Sequence, residues 1–332
     1  MKRLSAITLL GLLIVSIGLA SVSAPLKIGI TKFVEHPALD AVEQGVIDAL
    51  TAAGYIRGVD VEYLLASAQA DMGTTVAIAQ NYQAQNVDLV VAIATPSALS
   101  ATETFAESET PVIFAAVTAP AEYGLDGFAN VTGVSDLIEP RLDLELLRLV
   151  DPGISTIGIV YNPGEANSAF LTDVARQAAE DLGIEVIVAA AENSAAVPQA
   201  AQSLAGRVDA IYVTTDNTVA SALESVSSVS MEIDVPFLMA DPSSIAKGPA
   251  ICAGWDYYSH GLLVGDVVAQ VLAGAAPSDV PITYQKDTVH SVREILLNLD
   301  TAGLSGVVFP EGVISEATGV YFGGAVWNKA SD

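Results

Sequence analysis

Hydrophobic positions along the chain fall into two alternating patterns. Short, nearly continuous apolar runs rich in Val and Ile, such as LKIGI at 26–30, VDLVVAIA at 87–94, STIGIV at 155–160 and VDAIYV at 208–213, read as strands buried on both faces. Between them lie segments such as TTVAIAQNYQAQN and SAAVPQAAQSLAGR, where apolar residues recur three or four apart, the period of a helix with one buried face. Strands alternating with helices predict an α/β fold of parallel, doubly wound sheets covered by helices on both faces.

The pattern also repeats. LKIGITKFVEHPALDAVEQGVIDALTAAGY at 26–55 is echoed by STIGIVYNPGEANSAFLTDVARQAAEDLGI at 155–184, and each helical part ends at a glycine, Gly54 or Gly183, a natural helix stop. VDLVVAIATPSALSAT at 87–102 pairs with VDAIYVTTDNTVASAL at 208–223, and TPVIFAAVTAP at 110–120 with VPFLMADPSS at 235–244. Three pairs in one order, offset by roughly 120 to 130 residues, predict two similar lobes. Lobe 1 is expected over 25–135, with about 253–283 returning to it, and lobe 2 over 136–252, with about 284–325 returning. EYGLDGFANVTGVSDLIEP would be one hinge crossing, ICAGWDYYSHG a second and VPITYQKDTVHSV a third. LLVGDVVAQVLAG reads as a helix without a lobe 2 counterpart, returning to lobe 1.

In such sheets ligands bind outside the carboxyl ends of the strands. That places TKFVEHPALD, ATPSA and AAVTAP on one rim of lobe 1, and YNPGEANS, TTDNT and MADPSS on one rim of lobe 2. Facing rims would line a cleft able to close on a small ligand. Thr95-Pro96-Ser97 opens a helix whose positive end suits an anion, although Pro at a helix start explains the same residues. Glu165 and Asp216 occupy matching turns of lobe 2, with Glu35 across from them and Lys32 the one base in these turns. Each acid alone is equally a solvated carboxylate, and YNPGEANS is equally a helix start. Both signs together suit a zwitterion, and an amino acid fits. Asn162, Asn167 and Asn217 could add directional hydrogen bonds, and Phe33, Phe114, Tyr123 or Tyr161 an apolar wall or simply core.

Composition narrows the function class. At 332 residues and 52% hydrophobic, the chain can bury two cores. Its start, MKRLSAITLLGLLIVSIGLASVSA, has a basic beginning, an apolar middle and a small-residue end, which reads as a signal peptide cut after Ala24. The apolar middle is short of the roughly 20 residues a spanning helix needs. No cysteine follows the small residues, so the expected product is unlipidated and free in the periplasm. Losing Lys2 and Arg3 takes the net charge from −26 to about −28, which excludes nucleic acid as a ready partner. Cys252, the single cysteine, cannot form an intramolecular disulfide. There is no Gly-rich phosphate loop, no G-x-S-x-G elbow and no closely spaced metal-ligand pair, so no cofactor, metal or catalytic residue is assigned. His36, beside Glu35, suits an acid–base pair or, more commonly, a helix-start contact. The rival class is a two-lobe α/β enzyme acting on an amino acid or related small molecule, which needs a matched acid–base or cysteine pair across the cleft.

FVEHPALDAV, VAIATPSA, IFAAVT, NVTGVSD, YNPGEANS and VTTDNTVASAL, in this order, closely resemble the periplasmic substrate-binding proteins of ABC transporters in the tryptophan and tyrosine uptake family. The likeness runs from about Lys27 to about Leu272. It implies a type I periplasmic-binding-protein fold with three hinge crossings, a monomer that delivers its ligand to an inner-membrane ABC permease, and an aromatic amino acid or similar small molecule as ligand. Carried over by position, Glu35, Thr95, Pro96, Ser97, Thr118, Asn162, Glu165, Asn167, Ser168, Asp216, Asn217 and Asp241 would line the site. Where relatives read something like SDTDSV this chain has ADPSSI, keeping Asp241 with changed neighbours, and the tail from Asn298 onward is weakly matched.

Overall fold

The computed structural model describes residues 24–288 and 292–329, so the expected signal peptide, apart from Ala24, lies outside the described residues, as does His290. The chain first builds β1 (Leu26–Lys32), α1 (Pro37–Ala52), β2 (Val61–Ser67), α2 (Met72–Ala84), β3 (Leu89–Ile93), α3 (Thr95–Thr104), β4 (Val112–Ala115) and β5 (Val131–Ser135). A second series follows: α4 (Pro140–Val150), β6 (Thr156–Tyr161), α5 (Ala166–Leu182), β7 (Glu185–Ala190), α6 (Val197–Gln202), β8 (Ala210–Val213), α7 (Asn217–Ser221), α8 (Leu223–Glu232), β9 (Phe237–Met239) and β10 (Ile251–Gly254). Then come α9 (Tyr257–Leu272), β11 (Thr283–Tyr284), β12 (Glu294–Asn298), α10 (Leu299–Ala302), α11 (Glu311–Glu316), β13 (Gly319–Phe322) and β14 (Ala325–Asn328).

Two sheets result. The first is parallel throughout, in the order β11-β5-β4-β3-β1-β2. The second runs β14-β13-β12-β10-β9-β8-β6-β7 and is parallel except for the β10–β12 and β13–β14 pairs. The chain passes between the sheets after Ser135, after Gly254 and after Tyr284.

The apolar runs are continuous because each sheet is covered twice. Along β3, Leu89, Val91 and Ile93 enter one core and Val90 and Ala92 another; along β8, Ala210 and Tyr212 face one side and Ile211 and Val213 the other. The repeat extends to a packing device. A Cβ on Gly29 of β1 would sit 2.6 Å from the ring of Tyr82, and one on Gly158 of β6 would sit 2.6 Å from Leu204. In each lobe, then, a strand glycine makes room for a large side chain from the covering layer. Tyr82 is tied down further, its hydroxyl donating to the carbonyls of Ile30 and Leu64.

The helix α9 lies against α1 at very short range. A Cβ on Gly261 would meet the Val42 carbonyl at 2.4 Å, and one on Gly45 the Tyr258 carbonyl at 2.4 Å. Glycine on both faces lets the two backbones touch. Asp256 caps α9 by accepting from the N–H groups of Tyr258 and Ser259, a contact worth about 1 kcal/mol. Among the described residues no helix is long and apolar enough to cross a membrane.

Candidate functional site

The carboxyl ends of the strands of both sheets meet around a narrow cavity of about 20 Å³, drawn nearly shut between the lobes. Lobe 1 supplies His36, Ala38 and Leu39 from the turn after β1 and Ala116 and Thr118 after β4. Asp136, just past β5, and Tyr257, at the start of α9, stand beside two of the crossings. Lobe 2 supplies Asn167 at the start of α5, Thr215, Asp216, Asn217 and Ala220 around α7, and Met239 and Asp241 at the end of β9. The lobes touch across it where His36 Nε2 lies 3.3 Å from Asn217 Oδ1.

Three aspartates and no Lys or Arg line this cavity among the described residues. Burial drives the chemistry of Asp136 and Asp216. Asp136 is pushed up to about 6 by desolvation, against hydrogen bonds from the Tyr257 hydroxyl (2.9 Å) and Thr118. Asp216 is pushed up to about 7 by desolvation and then by the charge of Glu165. Its donors, the Ser168 hydroxyl and Asn162 N–H, each at 2.5 Å, and Val219 N–H at 2.8 Å, only moderate that rise. Burial also lowers His36 below its usual 6.5, with Asp241 opposing, so the imidazole is neutral at neutral pH.

Glu165 is 1% exposed and points into lobe 2, away from the cavity wall. Its Oε1 accepts from Thr218 N–H (2.8 Å) and Thr218 Oγ1 (2.6 Å), and its Oε2 from Asn217 Nδ2 (2.6 Å) and Asn167 Nδ2 (3.3 Å). Asn162 and Ser168 likewise serve the framework, Asn162 Nδ2 donating to Thr218 Oγ1 and Ser168 to Asp216. The turn YNPGEANS is therefore a buried polar brace beneath the cavity, and only Asn167 of it reaches the wall.

Of the residues singled out from sequence, the structure brings Thr118, Asn167, Asp216, Asn217 and Asp241 to the cavity wall. Glu35 is solvent-exposed and does not line it. Lys32 is engaged by Asp40 (2.5 Å) and Glu43 (3.4 Å). Phe33 and Phe114 are core residues, while Tyr123 and Tyr161 pack at core margins, so the aromatic ring on the wall is that of Tyr257. Thr95, Pro96 and Ser97 are buried at the start of α3 and are not on the wall. The hydroxyls of Thr95 and Ser97 have no hydrogen-bond partner. They follow Ala94, held at φ 75 and ψ 151, a region otherwise reserved for glycine, where strain of about 1–3 kcal/mol persists only if the surroundings impose it.

Asp136 and Tyr257 escaped the reading from sequence, and His36 and Met239, though in turns expected on the rims, were not assigned to the site. Asp136 had a signal: it follows β5 immediately, closer to its strand than Asp216 is to β8, but the segment read as a hinge.

Over residues 27–321 the sequence matches the family of ABC transporter substrate binding proteins. The chain belongs to that family. It also has the type I periplasmic-binding-protein fold. A tyrosine-binding protein of Clostridioides difficile is 37% identical over 280 residues, covering 83% of this chain and 79% of that one. The crystal structure of an ABC domain in complex with L-Trp from Streptococcus pneumoniae superposes with a TM-score of 0.83 at 30% identity, covering 90% of this chain and 100% of that one. A ligand-free, open structure of a substrate-binding protein with adhesive properties from Clostridium difficile is 34% identical but superposes with a TM-score of 0.64, covering 86% of this chain and 96% of that one. This binding protein is thus arranged more like the L-Trp complex than like the open structure, although its sequence is slightly nearer the latter.

Proposed function

We propose that this substrate-binding protein captures an aromatic amino acid between its lobes and hands it to an ABC permease in the inner membrane, without chemical turnover. One observation carries the ligand class: a cavity walled from both sheets by Asp136, Asp216 and Asp241 with no lysine or arginine on the wall among the described residues, a field that selects a cation such as an ammonium group. The carboxylate end is assigned to the start of α3, which does not line the cavity with the lobes this close and would be reached as they part to admit the ligand; there the helix dipole and the unpartnered hydroxyls of Thr95 and Ser97 offer donors. Tyr257, Met239 and Leu39 supply apolar contact for the side chain. The L-Trp-bound and tyrosine-binding relatives support the aromatic assignment.

The ligand would stabilise the arrangement in which the lobes touch, shifting a hinge equilibrium by contacts that exist only there. The three passages between sheets form that hinge, and the lobes comprise 25–135 with about 253–283, and 136–252 with about 284–325. The protein acts as a monomer in the periplasm after removal of residues 1–24. Calorimetric titration with L-tyrosine, L-tryptophan, L-leucine and D-glucose tests the reading. Saturable binding of the aromatic amino acids supports it, and binding of the sugar alone, or conversion of a bound amino acid detected by chromatography, overturns it.

A further inference from the structure

Glu165 holds no ligand position of its own, yet every acceptor that lobe 2's amides show the cavity traces back to it. A carboxylate accepts and cannot donate. The group that Asn217 turns toward Glu165 at 2.6 Å must therefore be its NH₂, which leaves Oδ1 facing His36. Since Oδ1 also only accepts, His36 must donate from Nε2, and a neutral imidazole that donates from Nε2 has a bare lone pair on Nδ1. His36 Nδ1 is buried, on a wall residue, and without a hydrogen-bond partner. Asn167 is turned the same way: its NH₂ donates to Glu165 (3.3 Å) and to the Thr215 carbonyl (2.8 Å), and its Oδ1 is buried without a partner.

We infer that Glu165 is a positioning residue that sets the hydrogen-bond polarity of the site, turning Asn167 Oδ1 and, through Asn217, His36 Nδ1 into acceptors for the ligand's ammonium group. The inference rests on the amino-acid reading above and assigns roles within it. It explains why a fully buried acid lies behind the wall: the brace converts one fixed charge into two directed acceptors without placing that charge against the ligand. It also makes His36 a reporter of closure, since its donor contact to Asn217 spans the lobes.

Glu165→Gln keeps the shape and breaks the logic. The glutamine would turn its own NH₂ toward Asn217, Asn217 would present Oδ1 to it, and the reversed amide would leave His36 protonated on Nδ1, a donor facing an ammonium. L-tyrosine affinity should fall roughly ten- to a hundredfold, the range for losing a charge-assisted hydrogen bond. The affinity of 3-(4-hydroxyphenyl)propanoate, which lacks the ammonium, should stay within about threefold. Nitrogen-15 NMR of the tyrosine-saturated wild type should show His36 bare at Nδ1. Hydrogen exchange should show the side-chain NH₂ protons of Asn167 and Asn217 protected in the wild type even without ligand, because those contacts lie within lobe 2. Equal weakening of both probes by Glu165→Gln, or a proton on His36 Nδ1 in the complex, overturns the inference. A wild type that ignores both probes refutes the amino-acid reading alone, and the exchange of the two amides then judges the orientation by itself.

Discussion

Capture of an ammonium by this cavity should expel protons, and the size of the effect follows from the burial of its acids. Asp216 is held at about 7 and Asp136 at about 6, so at pH 5 each is mainly neutral and must ionise to meet a cation. Ionising them costs about 2 and 1 pH units, or about 2.7 and 1.4 kcal/mol at 1.36 kcal/mol per unit. At pH 8 both are already charged and the cost vanishes. His36 also faces the cavity and is held below 6.5; its protonation in acid adds positive charge and works in the same direction. Tyr257, raised well above its usual value by burial, stays neutral throughout. L-Tyrosine remains a zwitterion over this range, so Kd should rise roughly 100- to 1,000-fold between pH 8 and pH 5. Titration calorimetry in two buffers of different ionisation enthalpy would read both the affinity and the protons released, and Asp216→Asn should remove the larger part of the dependence. A Kd constant within about threefold from pH 5 to 8, with no proton release, would refute the assignment of these carboxylates to the ligand's cation.

The same linkage has a consequence for the ligand-free protein. Both acids are raised above their unfolded value of 3.8, so their neutral forms stabilise the fold fully below about pH 4, and that contribution is lost as pH rises through about 7; denaturant midpoints for the wild type should fall more steeply over this window than for Asp216→Asn. Gly261→Ala, which would drive a Cβ to 2.4 Å from the Val42 carbonyl, should destabilise by about 1–3 kcal/mol, seen as a lower thermal midpoint. Ala94→Gly relieves the backbone at φ 75 and should leave the midpoint unchanged or raised, where an ordinary buried Ala→Gly change lowers it. Arg293→Ala would strand Asp143, whose side chain is 3% exposed and whose remaining polar partner is Tyr212 at 2.7 Å. It should cost about 3 kcal/mol at pH 7, and less in acid, because burial already raises Asp143.

Local pattern alone determined much of this protein. Apolar runs five to seven residues long, each followed by a helix-period segment, require parallel strands covered on both faces. The echo of segment 26–55 in 155–184, each helical part stopping at a glycine, marked two copies of one unit, and the strand-to-helix turns placed a site on two facing rims. Those are short-range properties, carried by side-chain periodicity and turn chemistry. What each rim residue does was not local. Glu165 and Asp216 occupy matching turns with the same charge, yet Asp216 reaches the cavity while Glu165 is drawn inward by Asn167, Asn217 and Thr218. Backbone and amide donors 2 and some 50 residues away compete for the carboxylate, and no spacing in the sequence reveals which acid they win. Asp136 and Tyr257 show the converse: both lie in segments that read as hinge, and they join the wall because the crossings pass beside the cavity. Periodicity decides which side of a strand is buried, but the rotation of one lobe on the other, and the hydrogen bonds each acid finds there, decide which polar groups remain for a ligand.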